Sequence, residues 1–580
     1  MAEIIAFVLY FVAVLGIGIF FFLKSKSGGE KEYFLGGRAM GPWVTAMSAQ
    51  ASDMSAWLLM GLPGSILAFG LGQAWIGIGL AIGTALNWIF IAKRLRKFSR
   101  ASGDAITLPQ YLSNRFATSS PILKIVCAVI FLISFTIYVA SGFSAGATVF
   151  TQLFPTLKVE VALIIFAVVI LLYTFLGGYK AVCWTDFFQG ILMLVAILAV
   201  PIVIVAFKNT DPTALTTAFT YVENGKETVC NFTTNLFSAS WQEIASGLAW
   251  GLGYFGMPHI LVRFMGIEKP SMVKKSATVA IIWVVLSLVA AIFIAYLGRM
   301  VVGEQLIPDR VQVAEDEYIV YEAESMLPEG ATIKLEKSDK IPDGVKNPVK
   351  LADGSIVDIN TTLPENYTDD NGNAVEVTLK DGPKFVAGGQ QKLVFIDLAR
   401  MLFPGFIAGI LLAAIIAASM STADSQLLVA SSSFTSDIYK PLIRKNASEK
   451  ETLWVGRIVV IIVAFIAYFI ASSEGTGAQA IMTMVDNAWG LFGGAFGPVV
   501  ILSLFWKRLT YEGAVAGIVT GAIVDIVWLV WLTAPTGIYE ILPAFIAGLI
   551  VTVVVSLIAK APSQEVLNIY ARATDNSIDD

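Results

Sequence analysis

SAQASDMSAWLLMGLPG, residues 48–64, and GLAWGLGYFGMPH, residues 247–259, each interrupt a hydrophobic run of membrane length with small, polar and helix-breaking residues. A helix in lipid must satisfy its own backbone, so irregular backbone at that depth survives only where protein walls a cavity. Breaks at matching places in two halves of a hydrophobic chain point to the binding site of a transporter. Five apolar spans are counted from each break inclusive, and five is odd, so the second half enters from the opposite face. That is the arithmetic of an inverted repeat, which builds a shared site near the bilayer midplane.

The rest of the chain suits that setting. Hydrophobic residues make up 56% of the 580 and charged residues only 14%, where a soluble chain carries about 25% charge. Mean hydropathy is +0.74. Thirteen apolar runs can be drawn: 4–23, 41–68, 74–92, 122–150, 159–177, 184–207, 241–262, 277–300, 395–437, 453–472, 479–505, 512–533 and 538–559. Most have the length a bilayer requires, and 395–437 is expected to end in an interfacial stretch. The expected fold is an all-α membrane protein of about 13 transmembrane helices, built on a ten-helix (5+5) inverted-repeat core. One helix precedes that core and two follow it. Segment 1–40 holds the first helix and a cytoplasmic loop, 41–207 the first repeat and 208–240 an external loop. The second repeat is 241–505, the last two helices lie within 506–559, and 560–580 is a tail.

Basic residues set the orientation. With the N-terminus outside, the short cytoplasmic loops carry most of the Lys and Arg, among them Arg38, Arg96, Arg263 and Lys440. The short outer loops hold only Lys158, Lys208 and Lys226. The C-terminus is then cytoplasmic and the chain is expected in the plasma membrane. Segment 304–390 is too long to vote. It holds 18 acidic and 8 basic residues, with Asp343-Gly344, Asp353-Gly354 and Asp381-Gly382 turn signals between β-favouring pieces at 313–323 and 374–386. It is expected to form an external, partly β excursion, either a lid or a solvated insertion; DDNGN at 369–373 reads as an ordinary turn. The net charge of −5 comes largely from this loop and the acidic tail and implies no nucleic-acid partner. Cys127, Cys183 and Cys230 show no bridge framework or metal spacing.

Three groups carry the candidate chemistry. Asp53 sits mid-span, where an ionised carboxylate costs about 3 kcal/mol. With no Lys or Arg expected in the middle of any span, a bound cation or a half-helix N-terminus is the expected compensation, and capping of the second half-helix is the structural alternative. Ser421 and Thr422, deep in 395–437, offer the hard neutral oxygens that suit an alkali cation; close helix packing is the plainer reading. Asp424 and Asp186 are further carboxylates near membrane depth, placed for a second cation or proton site, although Asp186 can also be read as interfacial. Trp57, Tyr138, Trp250 and Tyr254, with Pro258 breaking its helix, would wall a pocket for a small amphipathic ligand. Gly142-Phe143-Ser144-Ala145-Gly146 matches a hydrolase elbow but lies inside a hydrophobic helix rather than at a strand-to-helix turn. Gly493 and Gly497 read as helix packing.

Beyond these residues, FLGGRAMGPWVTAMSAQASDMSAWLLMGLPG (34–64), LRKFSRASGDAITLPQYLSNRF (95–116), WGLGYFGMPHILVRFM (250–265) and IAGILLAAIIAASMSTADSQLLVASSSFTSDIYK (407–440) stand in order along the chain. In these runs it resembles the sodium/solute symporter family, most closely its proline-carrying members; 304–390 falls outside the resemblance. The resemblance implies a LeuT-like inverted-repeat fold and sodium-coupled import of L-proline by alternating access, with no enzymatic activity. It implies a Na+ site at Ala51, Met54, Ala418, Ser421 and Thr422, with Asp53 governing sodium dependence. It implies proline contacts at Ser55, Trp57, Gly61, Tyr138, Trp250, Tyr254 and Pro258. Asp424 and Ser425 depart from the proline carriers, and some relatives place a second sodium there with the counterpart of Asp186. Another small solute (a different amino acid, a carboxylate or a sugar) and a solute-sensing membrane module stand as alternatives.

Overall fold

Both interruptions are true breaks. Pro42 opens the first helix, at a position where its missing N–H costs nothing, and the helix runs Pro42–Met54. Ser55 then turns to φ 46°, which few non-glycine residues adopt, and its hydroxyl accepts from Trp57 N at 3.1 Å. A tight turn, Ala56–Leu58, leads into the second half-helix, Gly61–Phe69. In the second break, Ser240 and Glu243 cap Trp241–Ala249 reciprocally. The chain tightens over Trp250–Phe255 and restarts as Pro258–Gly266.

Glycines make the second break fit. A Cβ on Gly251 would stand 2.4 Å from Gly79 O, and one on Gly253 only 2.0 Å from Trp489 Nε1. The Gly79 wall is backbone and cannot rotate away. Gly251→Ala is therefore expected to destabilise the fold by about 2–3 kcal/mol, read as a lowered thermal midpoint of the purified protein; an unchanged midpoint would contradict the packing described.

The computed structural model describes the chain apart from residues 25–28, 209, 211, 217–218, 224–225, 231, 307–310, 315–316, 320–333, 336–347, 351–353, 359–389, 475–477 and 576–580. Among the described residues, ten helices are long and apolar enough to cross a bilayer: Ala2–Phe21, Leu71–Ala101, Ile122–Leu153, Gly178–Phe207, Pro270–Val302, Gly405–Ile443, Glu449–Ser473, Ile481–Phe505, Tyr511–Thr536 and Ile541–Ile558. Shorter apolar helices cover Ala56–Phe69 and Val159–Leu172. The loop expected at 178–183 shrinks to one residue: the helical path Val159–Phe207 bends at Gly178, with φ 60° and ψ −178°. In the 395–437 run the break comes at the near end, where Phe403-Pro404 separates Val394–Leu402 from Gly405–Ser433. Its far end stays helical to Ile443.

The Gly405–Ser433 helix is the axis of the bundle. Of its apolar window 83% is buried, against 22% for Ala2–Phe21, so the first surrounds itself with protein and the second with lipid. It packs on Ala2–Lys24, Pro42–Met54, Ile122–Leu153 and Val159–Phe207. Lipid-facing side chains such as Val12, Phe20, Ile164, Ile461 and Phe465 are exposed on the periphery. Short antiparallel strands occur in two loops: Phe219–Glu223 pairs with Lys226–Cys230, and Pro348–Lys350 with Ile356–Asp358. Val311–Ala314, Glu317–Ile319 and Lys334–Leu335 make a third small sheet. The piece 374–386, the turn 369–373 and the Asp343-Gly344 and Asp381-Gly382 pairs lie outside the described residues, as does Asp353 of the third pair.

Candidate functional site

The two breaks face one another across a small cavity lined by Asp53, Met54, Trp57, Leu80, Tyr138, Trp250, Tyr254, Val485 and Trp489. Its wall is a run of indoles. Trp57 and Trp250 stack at 5.4 Å between ring centroids, Trp250 and Trp489 at 6.3 Å, and Tyr254 meets Trp489 edge-on at 5.1 Å. Two of the three indole N–H groups are satisfied elsewhere: Trp489 donates to Trp250 O at 2.8 Å and Trp57 to Met482 Sδ at 2.7 Å. The rings therefore present apolar faces inward.

The polar pole is Asp53, whose Oδ2 accepts from Tyr254 Oη at 2.7 Å. Asp53 is only 4% exposed and lies in the last turn of Pro42–Met54, so it caps nothing; Ser55 caps the turn that follows. No basic side chain pairs with Asp53 in any ion pair among the described residues.

Beside this cavity the first half-helix meets the bundle axis. Ser421 Oγ lies 2.8 Å from Ala51 O and 3.2 Å from Ala418 O, a hydroxyl between two carbonyls. Thr422 Oγ1 is buried without a hydrogen-bond partner, and an orphaned hydroxyl oxygen beside carbonyls is what a desolvated alkali ion requires. Ala51, Ala418 and Ser421 are thus brought together, and Met54 ends its helix at the cavity wall. The donors brought together here, the Ala51 and Ala418 carbonyls and the Ser421 hydroxyl, are the hard neutral oxygens that suit sodium.

Of the residues expected against the solute, Trp57, Tyr138, Trp250 and Tyr254 line the cavity. Ser55, Gly61 and Pro258 do not. Ser55 is spent on the turn, Gly61 lies under the Trp57 ring (a Cβ there would sit 2.6 Å from Trp57 Cδ1), and Pro258 starts its half-helix. Leu80, Val485 and Trp489 were not expected. Gly253 is the available signal, since a Cβ there would stand 2.0 Å from Trp489 Nε1 and its absence makes room for that indole.

A second polar cluster corrects the premise that no basic residue lies mid-span. Arg263, placed by sequence in a loop, is fully buried in Pro258–Gly266. Its Nη2 reaches Asp186 Oδ2 at 3.2 Å and also bonds Ser425 Oγ. Nε lies 3.2 Å from Ser48 Oγ, and Nη1 donates to His259 O at 2.9 Å. Ser48 Oγ in turn donates to Asp186 at 2.7 Å, and Ser425 Oγ to Asp424 Oδ1 at 3.2 Å. Asp186 is buried rather than interfacial. Restarting the helix at Pro258 carries Arg263 inward, which a continuous span ending at 262 does not foresee. The GFSAG run lies within the unbroken helix Ile122–Leu153.

The chain matches the model described as "Sodium:solute symporter family" over residues 33–330 and 383–521. It is 38% identical over 576 residues to a sodium/proline symporter of Haemophilus influenzae, covering 98% of this chain and 97% of that one. To a sodium/proline symporter of Escherichia coli K12 it is 36% identical, covering 98% and 96%. Among solved structures, a Na+-coupled sialic acid symporter in a substrate-bound outward-open state is similar at TM-score 0.63 and 18% identity, covering 97% of this chain and 99% of that one.

Proposed function

The chain belongs to the sodium:solute symporter family and is a transporter rather than an enzyme; from that premise we propose that it imports L-proline together with sodium by alternating access. The observation that carries this reading is the small indole-walled cavity with one carboxylate, set against the Ala51–Ser421 junction. The names of the relatives support proline. The pyrrolidine ring would pack on Trp57, Tyr138 and Trp250, and its charged groups would meet Asp53 and the backbone freed at the two breaks.

Sodium would bind at Ala51, Met54, Ala418, Ser421 and Thr422. Bound there, it ties the first half-helix to the bundle axis and orders the cavity for solute. Rocking of the broken helices against the remaining scaffold then opens the other face. Adding Val159–Leu172 and the two broken pairs to the ten long helices gives thirteen crossings, arranged as one, five, five and two. The N-terminus lies outside and the C-terminus in the cytoplasm, in the plasma membrane. Arg263 lies between Asp186 and Ser425, where some relatives place a second sodium. It acts as a tethered counter-ion, so one sodium accompanies each proline. One charge moving through 100 mV supplies about 2.3 kcal/mol, which corresponds to about 50-fold accumulation.

Purified protein in proteoliposomes should accumulate labelled L-proline under an inward sodium gradient and lose that accumulation when choline replaces sodium. Unlabelled small solutes are then scanned as competitors. If another amino acid, a carboxylate or a sugar displaces proline completely at a lower concentration, proline is the wrong solute.

A further inference from the structure

Three carboxyl groups that the transport site does not use gather at one end of the last three helices. Asp486 lies on Ala478–Phe505, Asp525 on Tyr511–Val527, and Glu540 directly before Ile541–Ile558. Asp525 is 1% exposed and Glu540 2%. Asp486 Oδ1, Asp525 Oδ1 and Glu540 Oε1 are all buried with no hydrogen-bond partner. Two of these oxygens point at the same small space: a Cβ on Gly490 would stand 3.0 Å from Asp525 Oδ1 and 3.3 Å from Glu540 Oε1. The absent side chain at 490 is what makes room for them.

The surroundings offer little compensation. Thr533 Oγ1 donates to Glu540 Oε2 at 3.3 Å. Facing the cluster from neighbouring elements are Tyr539 and, on Ile122–Leu153, Tyr138; Glu243 of Trp241–Ala249 is exposed and held by Ser240. Among the described residues, no Lys, Arg or His acts on any of the three carboxyls. Burial penalises each ionised carboxylate, and like charges sharing a site cannot all ionise. Among the described residues no three acidic, His or Cys side chains converge closely enough to hold a metal ion. Protonation is the simplest relief for carboxyls held in this way.

The turn that carries Glu540 is wired to the cavity. Tyr539 Oη donates to Asp486 O at 2.7 Å, and its ring lies 5.3 Å from that of Trp250. In the topology proposed above this turn is external.

We propose that Asp486, Asp525 and Glu540 form a shared proton site at the outer ends of these helices, whose occupancy by external protons holds the Tyr539 turn against the aromatic cavity. With the cluster protonated the turn stays seated. As external pH rises and carboxylates form, repulsion and desolvation disfavour the closed packing, and Tyr539 withdraws from Trp250. In the turn between the two spans, burial pushes Glu540 up to about 7, so its protonated form is lost as pH passes through neutrality.

The test titrates external pH on wild type and on Glu540→Gln and Asp525→Asn separately, isosteric neutral replacements that keep the packing. Wild type should show a tryptophan-emission transition near neutral pH and a several-fold rise in KM for proline above it, with kcat little changed. Either variant should flatten both profiles, and Glu540→Gln should also remove one carboxylic-acid band from the infrared difference spectrum between acid and alkaline buffer. Emission and infrared readouts do not depend on which solute is carried. Unaltered profiles in both variants, or a wild type with no transition by any readout, would overturn the proton site.

Discussion

Changing Ser421 and Thr422 together to alanine is expected to abolish sodium-driven uptake at physiological sodium while leaving the protein folded. Alanine is the best helix former, both positions lie within the continuous helix Gly405–Ser433, and the lost Ser421–Ala51 hydrogen bond is worth about 1 kcal/mol. The sodium ligands suffer more. Removing two hard oxygens at about 1.4 kcal/mol each lowers apparent sodium affinity about 100-fold. The measurement is labelled proline uptake against sodium concentration, with a thermal midpoint taken on the same preparation. Half-maximal sodium within twofold of wild type would remove these residues from the ion site.

The second large effect is structural. Arg263→Met leaves Asp186 buried without its counter-charge, and breaking one side of a buried pair costs about 3–5 kcal/mol. The variant should express poorly. Adding Asp186→Asn removes the stranded charge and should restore most of the stability, because a neutral pair of similar shape replaces an ionic one. If Arg263 stands in for a cation, the single variant should also be stabilised by sodium more than wild type is. Equal midpoints for the single and double variants, with no sodium response in either, would mean that Arg263 is not the partner of Asp186.

Much of this architecture was legible in the chain. The breaks at 48–64 and 247–259 announce themselves because lipid forbids loose backbone, so Pro, Gly and Ser clustered with other polar residues inside an apolar run point to a protein-walled interruption. The indoles beside them were legible for the same reason. Arg263 was not: hydropathy locates where apolar residues stop, whereas the restart at Pro258 decides where the helix goes. Val485, Leu80 and Trp489 were hidden because an apolar residue facing a cavity has the same composition signature as one facing lipid. The single-residue bend at Gly178 escaped because Lys180 suggested a water-exposed loop; its ammonium is held instead by Glu32. The five expected ion-site positions were read from motif alone, and the contact of Ser421 with Ala51 came only from the crossing of two helices whose residues stand 370 apart in the chain.

Ser421 and Ser425 are one turn apart on the same face of Gly405–Ser433. One touches the first broken helix through Ala51, and the other touches the second through Arg263. A slide or twist of that single rod is therefore registered by both halves of the molecule at once. Departure of an ion from the site proposed at Ser421 would therefore reach both discontinuous segments, which take a common clock from the helix they lean on.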